Sequence, residues 1–345
     1  MEKTIVHGCG GAGVSIVAKY VESLTKDSML NVETRYLDTS RADIDRFKDL
    51  NIENIHIITS KKLDTVIDGS GGRRDTNSTE IQDNINKYVD AFKYGHGEVH
   101  IVVSSASGGS GSVASTLLIA ALKKLNVTVI FICITDNSSL KYTEHSVNTL
   151  KYLELVGNKY SYKIPTIMIA NEERTEVTDK RVAIQIEALA ILNSGHIKSF
   201  DTMDTKLFLT NGYNDKDAGG IYTLSILSGD MSRLGDEYIS TLRVLDNGLN
   251  VKLPDGIGQY KIGIIDKVVE DRLLEAELSL PIYYAVTSNI NIEKIGKLKE
   301  DLVRQNSLVV KRKVFLDEED SIDGLTIWKS YLQVNPLEII QHYCF

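Results

Sequence analysis

The chain has 345 residues, 42% hydrophobic and 25% charged, with a formal net charge of −8. That composition supports about two globular domains with a real core, and the acidic balance argues against a general nucleic-acid surface. Cys9, Cys133 and Cys344 are far apart and form no C-x-x-C pair, which argues against a disulfide scaffold and a zinc site. MEKTIVHG carries no signal-peptide pattern, and the longest apolar runs, such as 127–134, are too short to cross a bilayer. A cytoplasmic protein with no membrane partner is expected.

TIVHG (4–8) predicts a strand, and VSIVAKYVESL (14–24) a helix. ETRYLD (33–38) and IHII (55–58) predict strands, and 79–92 a helix with Thr79 as its N-cap. Strands follow at 99–105, 127–134 and 165–170, with helices at 112–125 and near 143–156. Continuous apolar strands separated by helices predict a parallel sheet covered on both faces. The stretch 178–192 is apolar on more than one side, as in a helix buried between two bodies. Past residue 220 the pattern changes: YTLSILS, QYKIGIID, IYYAVTS and SLVVKRKVF predict strands, with a helix near 292–304. The expected fold is α/β, a Rossmann-like parallel-sheet domain (1–176), a long central helix and its following loop (177–205), and a smaller α+β domain (206–345).

Three glycine loops stand out. HGCGGAG (7–13) has the G-x-G-x-x-G spacing between strand and helix, and Asp38 ends the second strand where a dinucleotide fold places its ribose carboxylate. SSASGGSGSVAS (104–115) again joins a strand to a helix. Two such loops would aim backbone N–H groups and helix dipoles at several phosphates, with Ser110 and Ser112 as hydroxyl donors. DGSGGRRD (68–75) adds Gly69, Gly71, Gly72, Arg73 and Arg74, suited to a terminal phosphate. A dinucleotide site, a structural glycine turn and a phosphate cradle all remain open from these residues alone. No G-x-x-x-x-G-K-[ST] motif occurs. His7 reads as a packed strand-end histidine. Cys9 sits at a helix start, a position that can lower a thiol's pKa, but no His, Asn or Asp placement supports a Cys nucleophile.

The loop SGGSGSV (107–113) resembles the GGGTGSG signature of the tubulin/FtsZ family, with Ser107 and Val113 replacing glycines and Ser110 replacing threonine. HGCGGAG then resembles that family's first glycine loop, its usual Asn appearing as Ser15. TEHSVN (143–148) resembles the ribose-side E-G-x-x-R element, with Glu144 kept and Asn148 in place of Arg. SFDTMD (199–204) resembles the N-x-D-x-x-D loop, with Asp201 and Asp204 kept and Ser199 in place of Asn. Asn171 and Asp179 fall where the family reads guanine.

The resemblance implies a filament-forming GTPase that binds GTP/GDP and Mg2+. Its nucleotide would contact Gly8, Cys9, Gly10, Gly11, Gly13, Ser15, Asp38, Gly71, Gly72, Arg73, Ala106, Ser107, Gly108, Gly109, Ser110, Gly111, Ser112, Glu144, Asn148, Asn171 and Asp179. Asp201 and Asp204 would be catalytic, acting on the nucleotide of the next subunit; read without the resemblance, they are an N-cap and a first-turn acid. The eroded signature resembles the divergent plasmid and phage tubulin-like proteins, which implies a role in positioning or segregating phage or plasmid DNA. The implied partners are further copies of the chain in longitudinal filaments and an adaptor or cargo complex, with no direct nucleic-acid contact. The acidic run 317–323 is expected to be a solvated loop. Three alternatives are an FtsZ-like division protein, an NAD(P)-dependent oxidoreductase using the first glycine loop, and a nucleotide-binding protein that does not hydrolyse.

Overall fold

The computed structural model describes residues 2–24, 30–47, 50–60, 65–66, 69–74, 78–92, 97–136, 138–171, 175–197, 200–210, 220–227, 257–263 and 282–287. Ser199, Lys311 to Lys313, Cys344, the helix near 292–304, the strand SLVVKRKVF and the acidic run 317–323 lie outside them.

The elements run β1 (Thr4–Cys9), α1 (Gly10–Ser23), β2 (Val32–Asp38), α2 (Arg41–Asp45), β3 (Ile55–Ile57), the short strands β4 (Thr59–Ser60) and β5 (Thr65–Val66), and α3 (Ser78–Asp90). They continue with β6 (Val99–Ser105), α4 (Ser110–Lys124), β7 (Thr128–Thr135), α5 (Leu140–Tyr160), β8 (Lys163–Ala170), α6 (Thr175–Ser194) and α7 (Thr202–Thr210). β9 (Gly220–Leu227), β10 (Ile257–Gly263) and β11 (Ile282–Thr287) complete them. α3 begins at Ser78, so Thr79 sits inside its first turn rather than capping it.

Strand order in the sheet is β10-β11-β9-β8-β7-β6-β1-β2-β3. From β3 to β8 every pairing is parallel, as the continuous apolar runs predict. β9 pairs parallel with β8, and β11 and β10 follow antiparallel, so these later strands extend the same sheet. Side chains of one strand alternate between two cores. Ile130, Ile132 and Ile134 face Val14, Val17 and Leu189, whereas Val129, Phe131 and Cys133 face Ile81, Leu118 and Leu150. Helices α1, α6 and α7 thus cover one face, and α3, α4 and α5 the other.

The second half of α6 is buried on every side, from Ile186 through Asn193. That explains its all-round apolar sequence. Its one buried acid, Glu187, accepts a hydrogen bond from Tyr20 Oη of α1 at 2.7 Å. Burial raises the Glu187 pKa, and the tyrosine donor opposes that rise. No helix among the described residues is long and apolar enough to cross a membrane.

His7 is fully buried and packed, as its strand-end position predicts. Its Nδ1 lies 2.7 Å from Tyr88 Oη and its Nε2 lies 3.0 Å from His100 Nδ1. One neutral assignment satisfies the row: Tyr88 donates to His7, and His7 donates to His100. Burial lowers the pKa of both histidines, that of His100 to about 3. A depressed histidine stays neutral when folded but gains a proton when unfolded below about pH 6.5, so stability falls as pH drops through that value. Each such histidine costs about 2 kcal/mol by pH 5. Urea unfolding at pH 7.5 and pH 5.0 should therefore show a smaller acid loss in His100→Gln than in wild type. Equal losses would mean that His100 does not titrate on unfolding.

Candidate functional site

In a parallel sheet of order 3-2-1-4-5-6, the crevice opens where the chain reverses direction across the sheet, here between β1 and β6. A cleft of about 250 Å³ lies at that point, at the carboxyl ends of the strands. It is lined by Cys9, Gly10, Gly11 and Ala12 from the start of α1, and by Ser105, Gly108, Gly109, Ser110 and Gly111 from the start of α4. Asp38, Thr39, Ser40 and Asp43 line it after β2, and Gly69, Ser70, Gly71 and Gly72 after β5. The three glycine loops of the sequence therefore converge on one cavity.

Glycine is required where the first two loops touch. Gly10 has φ +69°, and a Cβ on it would lie 2.5 Å from Gly111 Cα. A Cβ on Gly111 would lie 2.7 Å from the Cys9 carbonyl oxygen. Gly8 and Gly13 serve packing instead, since each would drive a Cβ into the backbone of α1 or β6. Neither α1 nor α4 has a side-chain N-cap bond or an acid in its first turn. Apart from Ser110 N, which Ser70 holds, their leading N–H groups face the cleft with no side-chain cap, as an anion site requires. By contrast, Ser139 caps α5.

The third loop is fastened to the second. Ser110 N donates to Ser70 Oγ at 3.2 Å, and Ser110 Oγ lies 2.6 Å from Thr39 Oγ1. Ser112 Oγ donates back to the carbonyls of Gly108 and Gly109, so its hydroxyl holds the loop instead of pointing outward. Arg73 is exposed and does not line the cleft. The buried arginine is its neighbour Arg74, whose guanidinium donates to the His145 carbonyl and to Thr149 Oγ1 on α5. Thr149 Oγ1 in turn donates to the Ala106 carbonyl, and His145 Nδ1 donates to the Ser107 carbonyl at 3.0 Å. Ala106 and Ser107 are therefore anchored behind the loop, away from the cavity.

Asp38 is buried, with Oδ1 accepting from Thr39 N at 2.7 Å and Oδ2 without a hydrogen-bond partner. Burial pushes its carboxyl up to about 7, and the Asp43 charge adds to the rise. The Cys9 thiol is fully buried, and burial raises its pKa far above the ordinary value, with the Asp38 charge adding, so the helix N-terminus does not activate it.

Ser15, Glu144, Asn148, Asn171 and Asp179 are not among the residues lining the cleft. Asn171 Nδ2 donates to Asp136 Oδ2 at 3.0 Å, joining the ends of β8 and β7. Asp179 Oδ2 accepts from Lys19 Nζ of α1 at 2.6 Å. Asp201 and Asp204 stand far from the cavity. α6 starts beyond the carboxyl end of β8 and runs about 30 Å. It ends where Asn193 Nδ2 donates to the Lys3 carbonyl and to Thr4 Oγ1 at the start of β1. α7 begins at that opposite edge of the sheet. There Asp201 Oδ1 accepts from Asp204 N at 2.7 Å, so Asp201 does cap the helix.

Sequence reasoning missed Ser70 and Asp43. A serine between glycines carried no distinguishing signal. Asp43, in the first turn of the short helix that follows Asp38, was visible only as a charge.

Residues 3–178 match the tubulin/FtsZ family, GTPase domain. A phage tubulin-like protein of Pseudomonas phage PhiPA3 is 24% identical over 204 residues, which is 59% of this chain and 59% of that relative, less than two thirds of its length. Among solved structures, the protofilament of TubZ from bacteriophage PhiKZ is similar with a TM-score of 0.69 and 19% identity, covering 94% of this chain and 96% of that one. The GDP complex of the phage tubulin PhuZ gives 0.67 and 16%, with the same coverage. The chain belongs to the tubulin/FtsZ family through a GTPase domain over residues 3–178, a span that takes in both HGCGGAG and SGGSGSV.

Proposed function

We propose that the chain binds GTP in the glycine cleft, assembles head to tail into filaments, and hydrolyses GTP between successive subunits. One observation carries this reading: the cleft and the Asp201–Asp204 pair lie at opposite edges of the same sheet. Those carboxylates reach a nucleotide only in another copy. A contact between unlike surfaces repeats from copy to copy, and builds a filament where its rotation does not close into a ring. The pair would orient and deprotonate the attacking water, while the glycine loops stabilise phosphate charge. Relatives solved as a protofilament and as a filament support the assembly, and the GDP complex of PhuZ supports the ligand.

The residues present fit the ligand. The close Gly10–Gly111 contact sets the starts of α1 and α4 side by side, and neither helix carries a first-turn acid or an N-cap side-chain bond to repel or replace a phosphate. Mg2+, when bound, would neutralise phosphate charge. Among the described residues no group of three or more His, Cys, Asp or Glu side chains could hold it. Phosphate oxygens and waters would supply most ligands, with Asp38 and Asp43 holding the waters. Likeness to a phage tubulin-like protein supports a role for the filaments in positioning phage or plasmid DNA.

Light scattering with phosphate release, adding GTP, ATP or NAD in turn, tests the reading. Scattering should rise with GTP alone, and phosphate release per subunit should climb with protein concentration. Absence of assembly with every nucleotide would sink the filament reading.

A further inference from the structure

We propose that the Ser70 hydroxyl holds the place of a phosphate oxygen at the start of α4, and that the nucleotide takes this place by displacing it. The inference rests on the guanine-nucleotide reading and adds a residue that sets how tightly the cleft binds.

A phosphate at a helix start is bound by the first N–H groups of that helix. Ser110 is the first residue of α4, and it lines the cleft. Its N–H is already taken, donating to Ser70 Oγ at 3.2 Å across 40 positions of sequence. Ser70 lines the cleft too, so its oxygen stands on the phosphate side of that N–H. The approach is close. A Cβ on Gly109, the residue before the helix, would run into Ser70 Oγ and lie 2.7 Å from the Arg73 carbonyl oxygen.

Ser70 sits on a small turn between two fixed points. The Ser70 carbonyl accepts from Arg73 N at 3.1 Å, which closes the turn over residues 70–73. Its central residues are Gly71 at φ +59° and Gly72 at φ +72°, the positive pair that a turn of this hand requires. Before the turn, Gly69 N donates to the Thr39 carbonyl at 3.3 Å. After it, the Arg74 guanidinium is held on α5. A Cβ on Gly71 would meet nothing within 4 Å, so the turn has open space to move into.

The exchange has a direction. A serine hydroxyl is a neutral acceptor, whereas a phosphate oxygen is charged and makes a hydrogen bond roughly twice as strong. The helix dipole favours the anion further. The nucleotide therefore wins the N–H, but binds more weakly than it would to an open seat. Without nucleotide, the same Ser70 bond caps α4 and supports the fold. Removing the hydroxyl thus acts with opposite signs on the free protein and on binding. Loss of a residue that only packs would not tighten binding.

GDP is the probe, because it is not hydrolysed. Calorimetric titration and differential scanning fluorimetry on the full chain read the two effects. Ser70→Ala should bind GDP roughly threefold to tenfold more tightly than wild type. The thermal midpoint of the nucleotide-free chain should fall by roughly 1–3 °C in the same variant. Ser70→Cys, whose thiol is a weak acceptor, should shift both in the same directions by less. The proposal is overturned if Ser70→Ala binds GDP no tighter than wild type, or if its nucleotide-free midpoint does not fall. Failure of wild type to bind GDP would instead overturn the guanine-nucleotide reading itself.

Discussion

Asp204→Asn should bind GTP as tightly as wild type and turn it over roughly 10²–10⁴-fold more slowly, the range for loss of a positioned general base. Asn keeps the shape of the side chain and removes the charge that accepts a proton. Asp204 sits in the first turn of α7, where its backbone N–H is held by Asp201 Oδ1. That bond survives the substitution, so the helix start does too. Asp201 is the less clean target. Its carboxylate caps the helix, and its carbonyl accepts from Thr205 N at 2.9 Å. Asp201→Ala should cost about 1 kcal/mol of stability in addition to any loss of turnover. If Asp204→Asn hydrolysed GTP at the wild-type rate, the acidic pair would be a helix cap and nothing more.

The same variant separates hydrolysis within one chain from hydrolysis between two. Mixed with a chain whose cleft does not bind GTP, such as Gly10→Ala, it should recover turnover. The nucleotide would then sit in the cleft of the Asp204→Asn chain, facing an intact Asp204 on its neighbour. Phosphate release above the sum of the two chains measured separately is the expected result. A mixture no faster than that sum would argue against an active site shared across the contact.

The sheet was legible because a parallel sheet buries both strand faces, and a run such as 128–135 has no other stable place. The convergence of three loops was legible because glycine leaves a visible mark where backbone must meet backbone. Side-chain direction was not. Arg73 and Arg74 are adjacent and identical in type, yet one is exposed and the other is buried against α5. Only packing decides between them. Cys9 carries the signal of an activated thiol, a helix start, but a fully buried site outweighs the dipole. The Lys19–Asp179 pair joins helices far apart in sequence, and no local pattern reports it. Asp201 was legible as an N-cap, and the cap bond is formed.

Gly10→Ala should weaken GTP binding by at least about a hundredfold, the loss of two hydrogen bonds to a charged phosphate at about 1.5–3 kcal/mol each. Two effects act together. At φ +69° an L-residue is strained by roughly 1–2 kcal/mol. Its Cβ would also lie 2.5 Å from Gly111 Cα and 2.7 Å from Gly111 N, so both glycine loops must part. Neither neighbour is a flexible side chain that can turn aside. The N–H groups of α1 and α4 would then no longer point at one set of phosphate oxygens. Gly108→Ala is the informative contrast, because that Cβ would find nothing closer than Ser105 Cβ at 3.8 Å. It should leave the thermal midpoint of the free protein unchanged, whereas Gly10→Ala should lower it. Differential scanning fluorimetry and calorimetric titration with GDP measure both effects. If Gly10→Ala bound GDP normally, the contact between the loops would not shape the phosphate site. Signature spacing alone treats these glycines as equals, whereas contact geometry ranks them.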